Sequence, residues 1–244
     1  MIAEPGTYSV ADFIPFTAEV YLRLFERQNE AQWPLHLLAV AAGAATIALA
    51  WRGRDRRHAR WAGAALSGLL AAAWLWVALS FHLRLYTELT WVAWYIGGAF
   101  IIQAGLILVA GVMDVRRGAG STGRGTGALH PSPVGVTVVG YALAALGVVV
   151  YPLLAPLTGQ GWAGAQCFAI APDPTAVATL GLLLLASRPR WLALLLPIPL
   201  LWLMLSSAVG TSLELPLAWL PAGAAAIALA AALWSALPRR HATR

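Results

Sequence analysis

Six side chains in this sequence carry chemistry that a purely apolar bundle has no use for: the imidazoles of His36 and His82, the thiol of Cys167, and the carboxylates of Glu88, Asp173 and Glu214. Together such groups could bind a divalent or soft metal, or pass protons. Their spacing fits no metal-ligand signature, and a single Cys allows neither an internal disulfide nor a multi-thiolate site. Each also has a local reading. His36 and His82 fall where helix ends would meet an interface, and Glu88 can pair with Arg84 four residues before it. Asp173 followed by Pro174 has the form of a helix N-cap with proline in the first turn. The six are kept as a candidate outer polar site, with no catalytic, cofactor-binding or metal-binding residue assigned among them.

Three further residues stand out inside apolar runs. Gln103 is the deepest amide, and its simplest role is an interhelical hydrogen bond worth about 1 kcal/mol. Pro197 and Pro199 interrupt one run and mark a candidate hinge, since each removes a backbone donor and disturbs the preceding turn. Gly118-Ala119-Gly120-Ser121-Thr122-Gly123 matches the dinucleotide fingerprint letter for letter. That motif works only between a strand and a helix N-terminus, whereas here it follows an apolar run and sits in Gly, Ser and Thr of low complexity, so it reads as linker. All sixteen basic residues are Arg. Without a Lys, a retinal Schiff base and a Walker-type phosphate site are both excluded.

The elements that must position these residues are set by hydropathy. Of 244 residues 60% are hydrophobic and 11% charged, and the mean hydropathy is +0.72, above what a water-soluble domain carries. The net charge of +6 is scattered in short stretches between apolar runs, which is no nucleic-acid surface. Seven runs approach the length needed to cross the hydrocarbon as helices: Leu35 to Trp51, Trp61 to Ser80, Trp91 to Val112, Val134 to Leu154, Pro174 to Ala186, Trp191 to Val209 and Leu217 to Leu237. The fifth is short, and reads as a full span only if it begins near Phe168; otherwise it is re-entrant or strongly buried. Before the first run, Val10 to Glu30 mixes Phe13, Phe16, Val20, Leu24 and Phe25 with acids and arginines, as an amphipathic helix on the outer surface would. The acids in this stretch also argue against a cleaved signal peptide. The expected organisation is an external amphipathic segment over 1–33, a transmembrane bundle over 34–237 with a cytoplasmic Gly-rich linker at 113–132, and a basic cytoplasmic tail at 238–244.

Seven spans make the loops alternate sides, so arginine placement tests the count. One set of loops holds thirteen arginines, among them Arg52, Arg116, Arg188 and Arg239, against Asp55 and Asp114 alone. The other set holds Arg23, Arg27 and Arg84 against eight acids. The first set is expected to be cytoplasmic, with the N-terminus outside and the C-terminus inside. Trp33, Trp91, Trp94 and Trp219 would then mark outer ends and Trp51, Trp61, Trp191 and Trp234 inner ends, where indole rings prefer to lie. Trp74, Trp76 and Trp202 fall within the runs and are expected to pack on other helices.

Several local patterns resemble an uncharacterised family of bacterial polytopic membrane proteins often labelled permease. They are Pro15-Phe16, Asn29 and Trp33-Pro34 before the first run, Trp74, Trp76 and His82 in and after the second, and Phe100 with Gln103-Ala104 in the third. Tyr151-Pro152-Leu153, Ala171-Pro172-Asp173-Pro174-Thr175 with Leu180-Gly181-Leu182, and Pro199-Leu200-Leu201-Trp202 complete the set. The resemblance implies a Cys more often than an acid at the position of Asp173, where this chain departs, and it implies no activity. The expectation is an all-α, multi-pass protein of the bacterial inner membrane, surrounded by lipid and without cofactor or nucleic acid. A small-solute permease or channel is favoured; the alternative is an accessory or scaffold subunit meeting another membrane protein or a second copy of itself.

Overall fold

The computed structural model describes residues 14–55, 58–120, 133–186 and 189–236. Among them the chain forms ten α-helices and no strand. Four helical stretches are long and apolar enough to cross a membrane: Leu35–Arg52, Ala59–Glu88, Ala93–Met113 and Val134–Leu157. Three shorter apolar helices, Pro172–Ala186, Pro197–Ser212 and Leu220–Ala236, complete the bundle. The long apolar runs of the sequence thus coincide with helices, although the second continues past Ser80 to Glu88 and the third past Val112 to Gly120.

Helix α1 (Ala18–Gln32) begins on Thr17, whose hydroxyl accepts from the Val20 N–H at 3.4 Å. Its buried residues, Tyr21, Leu24, Phe25, Gln28 and Gln32, recur at the three- and four-residue spacing of one helical face. That face lies on protein. Phe25 stacks on Phe81 with ring centroids 5.3 Å apart, Tyr21 meets Tyr86 edge-on, and the Gln28 amide donates to the Ile170 carbonyl at 2.6 Å. The amphipathic pattern is therefore satisfied by capping the end of the bundle.

Helix α2 (Leu35–Arg52) and α3 (Ala59–Val77) follow, and α3 runs on through a wide π-turn, Ala78–His82, in which the Leu83 N–H reaches back five residues to the Ala78 carbonyl. Helix α4 (Ala93–Gly120) lies against α3. Helix α5 (Val134–Ala145) passes through a second π-turn, Leu146–Val150, into α6 (Tyr151–Leu157). Here the cause is Pro152, which has no N–H to give the Val148 carbonyl and whose ring would press on that oxygen.

The fifth run forms α7 (Pro172–Ala186), buried at every position from Pro172 to Leu185. At 15 residues it extends about 22 Å, short of a hydrocarbon core of about 30 Å. It is apolar on all sides because neighbours surround it. Two of those neighbours approach at backbone distance. A Cβ on Gly181 would meet the Gly140 carbonyl oxygen and stand 2.5 Å from the Ala144 nitrogen, and one on Gly147 would stand 2.6 Å from the Ala178 nitrogen. Glycine at these positions lets α5 and the following π-turn lie flat against α7.

Helices α8 (Pro189–Leu195) and α9 (Pro197–Ser212) are the halves of the proline-interrupted run, and α10 (Leu220–Ala236) closes the bundle against α9, α5 and α7. Pro199 cannot donate to the Leu195 carbonyl four residues back. The Gln103 amide takes that place, donating to the Leu195 oxygen at 2.9 Å. An amide read as an interhelical tie is thus the partner of a carbonyl that proline left free. Outside α7, the bundle exposes large apolar side chains along its flanks, including Leu37, Ile102, Val138, Leu201 and Leu233. A surface of that kind suits a lipid solvent. Gly118, Ala119 and Gly120 continue α4, so that part of the dinucleotide-like motif is helix, and the rest of it, with the basic tail, lies outside the described residues.

Candidate functional site

Asp173 is buried in the first turn of α7, 8% exposed, and its carboxylate does not cap that helix. It points across to α9, accepting from the Trp202 indole N–H at 2.8 Å and from the Ser206 hydroxyl at 2.7 Å. Trp202 and Ser206 lie four residues apart on one face of α9, so both donors arrive from the same side. Thr175 ties the incoming turn to the helix, its hydroxyl accepting from the Ala169 N–H at 2.8 Å and donating to the Ala171 carbonyl at 2.7 Å. Prolines at 172 and 174 remove two of the backbone donors that a helix start would otherwise leave unpaired.

The carboxylate lines a cavity of about 90 Å³. One water needs roughly 10–15 Å³ of such space, so the cavity has room for several waters or a small organic molecule. Its polar wall is Asp173 and Ser206 with Tyr21, Tyr151, Gln160 and Gln166, drawn from α1, α6, α7, α9 and the segment between α6 and α7. Apolar residues of the connection from α9 to α10, such as Leu215 and Pro216, also line it. Among the described residues no arginine or histidine lines it. Burial first, and then the nearby Asp173 carboxylate, hold the Tyr21 hydroxyl well above its usual range, so it remains a neutral donor. The Gln166 Oε1 is buried and accepts no hydrogen bond.

Behind Trp202 the interior is closed by rings. The His82 imidazole lies 4.9 Å from the Trp202 ring and 4.3 Å from Phe100 between centroids, and Phe100 is 4.3 Å from Trp74. His82 is completely buried, and neither of its ring nitrogens has a hydrogen-bond partner. It stands at the end of the π-turn of α3, which no proline accounts for. Turns of this kind are frequent at functional sites.

Of the six residues grouped from sequence, two share this region: Asp173 and His82, with Trp202 between them. His36 belongs to a separate tie, with its ring nitrogen 3.0 Å from the Asn29 carboxamide oxygen while the Asn29 amide donates to the Ala163 and Ala165 carbonyls. Glu88 is held by Arg27 of α1 through two contacts of 2.6 and 3.2 Å, which replaces the pairing with Arg84 expected from spacing. Cys167 is packed with Ala39 and Ile170, and burial pushes its thiol up. Glu214 adopts φ 54° in the turn after α9. Among the described residues no three of His, Cys, Asp and Glu stand close enough to hold a metal ion. Sequence reading missed Tyr21, Tyr151 and Gln166. The first was absorbed into an apolar helix face, and the others come from segments that only folding brings to Asp173.

The sequence matches a family described as a family of unknown function (DUF6064) over residues 18–243. No curated protein and no solved structure matches it.

Proposed function

Since the chain belongs to the DUF6064 family, whose function is unknown, its role has to be read from its own site, and we propose that it is a small-solute permease of the bacterial inner membrane with seven spans. In this reading the N-terminus and α1 lie outside, and the C-terminus lies inside. The alternation of arginine-rich and acid-rich loops supports that orientation. The three shorter apolar helices would span as members of the bundle, with α7 reaching only part of the thickness because protein, not lipid, surrounds it.

One observation carries the reading: a buried carboxylate, hydrogen-bonded only by the neutral donors Trp202 and Ser206, at the wall of a cavity inside an apolar bundle. An ionisable residue in such surroundings is costly, and its usual justification is a bound solute or ion. The cavity serves as the outward-facing pocket, and the rings of Trp202, His82, Phe100 and Trp74 form the inner closure. The proline break between α8 and α9 lies on the helix that carries Trp202 and Ser206, where a broken helix could move them.

The same ring closure favours a second reading, an accessory subunit whose interior stays shut. Uptake separates the two. Proteoliposomes would be tested with labelled urea, methylammonium, acetate and glycine, which sample neutral, cationic, anionic and zwitterionic solutes. Saturable uptake of at least one above protein-free vesicles, lost in Asp173→Ala, is expected. Uptake of none of the four overturns the permease reading in favour of the accessory one.

A further inference from the structure

We propose that the Asp173 cavity binds a small alkylammonium cation, its N–H groups shared between the Asp173 carboxylate and the Gln166 carboxamide oxygen; this rests on reading the cavity as a solute pocket. Asp173 brings a negative charge, and among the described residues no arginine or histidine lines the cavity to compensate it. Each of its oxygens accepts one hydrogen bond, from Trp202 and from Ser206. A carboxylate offers about four acceptor positions, so about two remain. Gln166 lines the same cavity, and its Oε1 is buried without a donor, so a turn of the carboxamide would bring a second acceptor to the bound cation. A buried acceptor without a partner costs free energy that a bound donor would recover.

Other ligand classes fit less well. An anion would face Asp173 with no cation to hold it, and a neutral solute would leave a buried carboxylate uncompensated. A bare metal ion calls for a shell of several oxygens, six or more for calcium and magnesium. Here one carboxylate, two carboxamides and hydroxyls share the lining with the apolar Leu154, Ala155, Leu215 and Pro216. A charged N–H end for the polar groups and a short alkyl end for the apolar ones match that mixed lining. At about 90 Å³ the cavity takes a cation of a few heavy atoms and excludes larger amines.

The test uses the whole chain purified in mild detergent. Its melting temperature is followed against methylammonium chloride, with sodium chloride, tetramethylammonium chloride and urea as comparisons at matched ionic strength. Methylammonium should raise the melting temperature saturably, while sodium and tetramethylammonium, which carry no N–H donor, and urea should not. Asp173→Asn keeps an acceptor for the Trp202 N–H and offers its amide N–H to the Ser206 oxygen, which turns from donor to acceptor, and it should fold and lose the saturable response. Gln166→Leu, which removes the other acceptor without touching Asp173, should weaken apparent affinity at least tenfold. A methylammonium response no greater than that of sodium, or one retained in both variants, overturns the assignment. If methylammonium binds but no solute is taken up, the permease reading alone falls. If urea or acetate is taken up while methylammonium neither binds nor competes, the cation assignment alone falls.

Discussion

Asp173 and His82 present opposite problems for a buried polar group. Asp173 is paired, and removing it orphans its partners: Asp173→Ala leaves the Trp202 N–H and the Ser206 hydroxyl without an acceptor, at about 1–3 kcal/mol for each group left unpaired. Thermal unfolding in detergent should therefore show Asp173→Ala clearly destabilised and Asp173→Asn near the parent, since its oxygen still accepts from Trp202 and its amide N–H can donate to the Ser206 oxygen. Equal destabilisation by both would mean that the charge itself stabilises the fold. His82 is unpaired, so the expected sign reverses. His82→Phe keeps a ring among Phe81, Phe100 and Trp202 and deletes two unsatisfied nitrogens. It should be neutral or stabilising by about 1 kcal/mol, while a loss of uptake in the same variant would identify the imidazole as part of the transport path.

At the scale of elements, two devices decide how close the helices come. The Gly140–Gly181 crossing puts α5 and α7 in backbone contact, and the atoms that a new methyl group would meet are main-chain oxygen and nitrogen, which cannot turn aside. Gly181→Ala should cost about 1–3 kcal/mol and lower the melting temperature. Gly98→Ala on α4, where a Cβ would meet nothing within 4 Å, is the matched control and should be silent. The second device is the exchange of donors at the proline break. Gln103→Leu strands the Leu195 carbonyl, and Pro199→Ala supplies a backbone N–H at the position that ordinarily serves it. The double variant should recover most of the stability lost in Gln103→Leu, measured as a coupling in a double-mutant cycle. Additive losses would show that Gln103 matters for some reason other than this carbonyl.

For the whole molecule the governing question is which ends face which side. A reporter placed after Arg57, Gly123 or Arg244 should read as cytoplasmic and one at Gly6 or Gly161 as external, because arginine-rich loops are retained inside. A cytoplasmic signal at Gly161 would remove α1 and the Asp173 cavity from the outer face together. The reporters also probe α7, since in the seven-span reading its passage to Arg188 and Arg190 would reverse the side of everything after it.

Much of this was legible along the chain. Hydropathy runs located the helices because a backbone in lipid must satisfy its own hydrogen bonds within each segment, which makes span length a local property. The period of α1 was legible for the same reason, as were the exposed indoles Trp33, Trp51, Trp91 and Trp234 at helix ends. Trp76 departs from its expected packing: its ring is 44% exposed, and its N–H donates to Gln32 of α1. What the apolar face of α1 covers could not be read from its period, which states that a face is buried and not against what. The weak fifth run became the buried centre of the bundle, a place that only its neighbours' positions confer. The site followed the same division. Asp173 stood out by type, but Tyr21, Tyr151, Gln166 and Ser206 reach its cavity from four other segments, and no spacing along a chain encodes a distance across helices. Local hydrogen-bonding and burial requirements are written residue by residue, whereas the convergence of a carboxylate with its donors depends on which helices pack together, and that was decided by the tertiary structure.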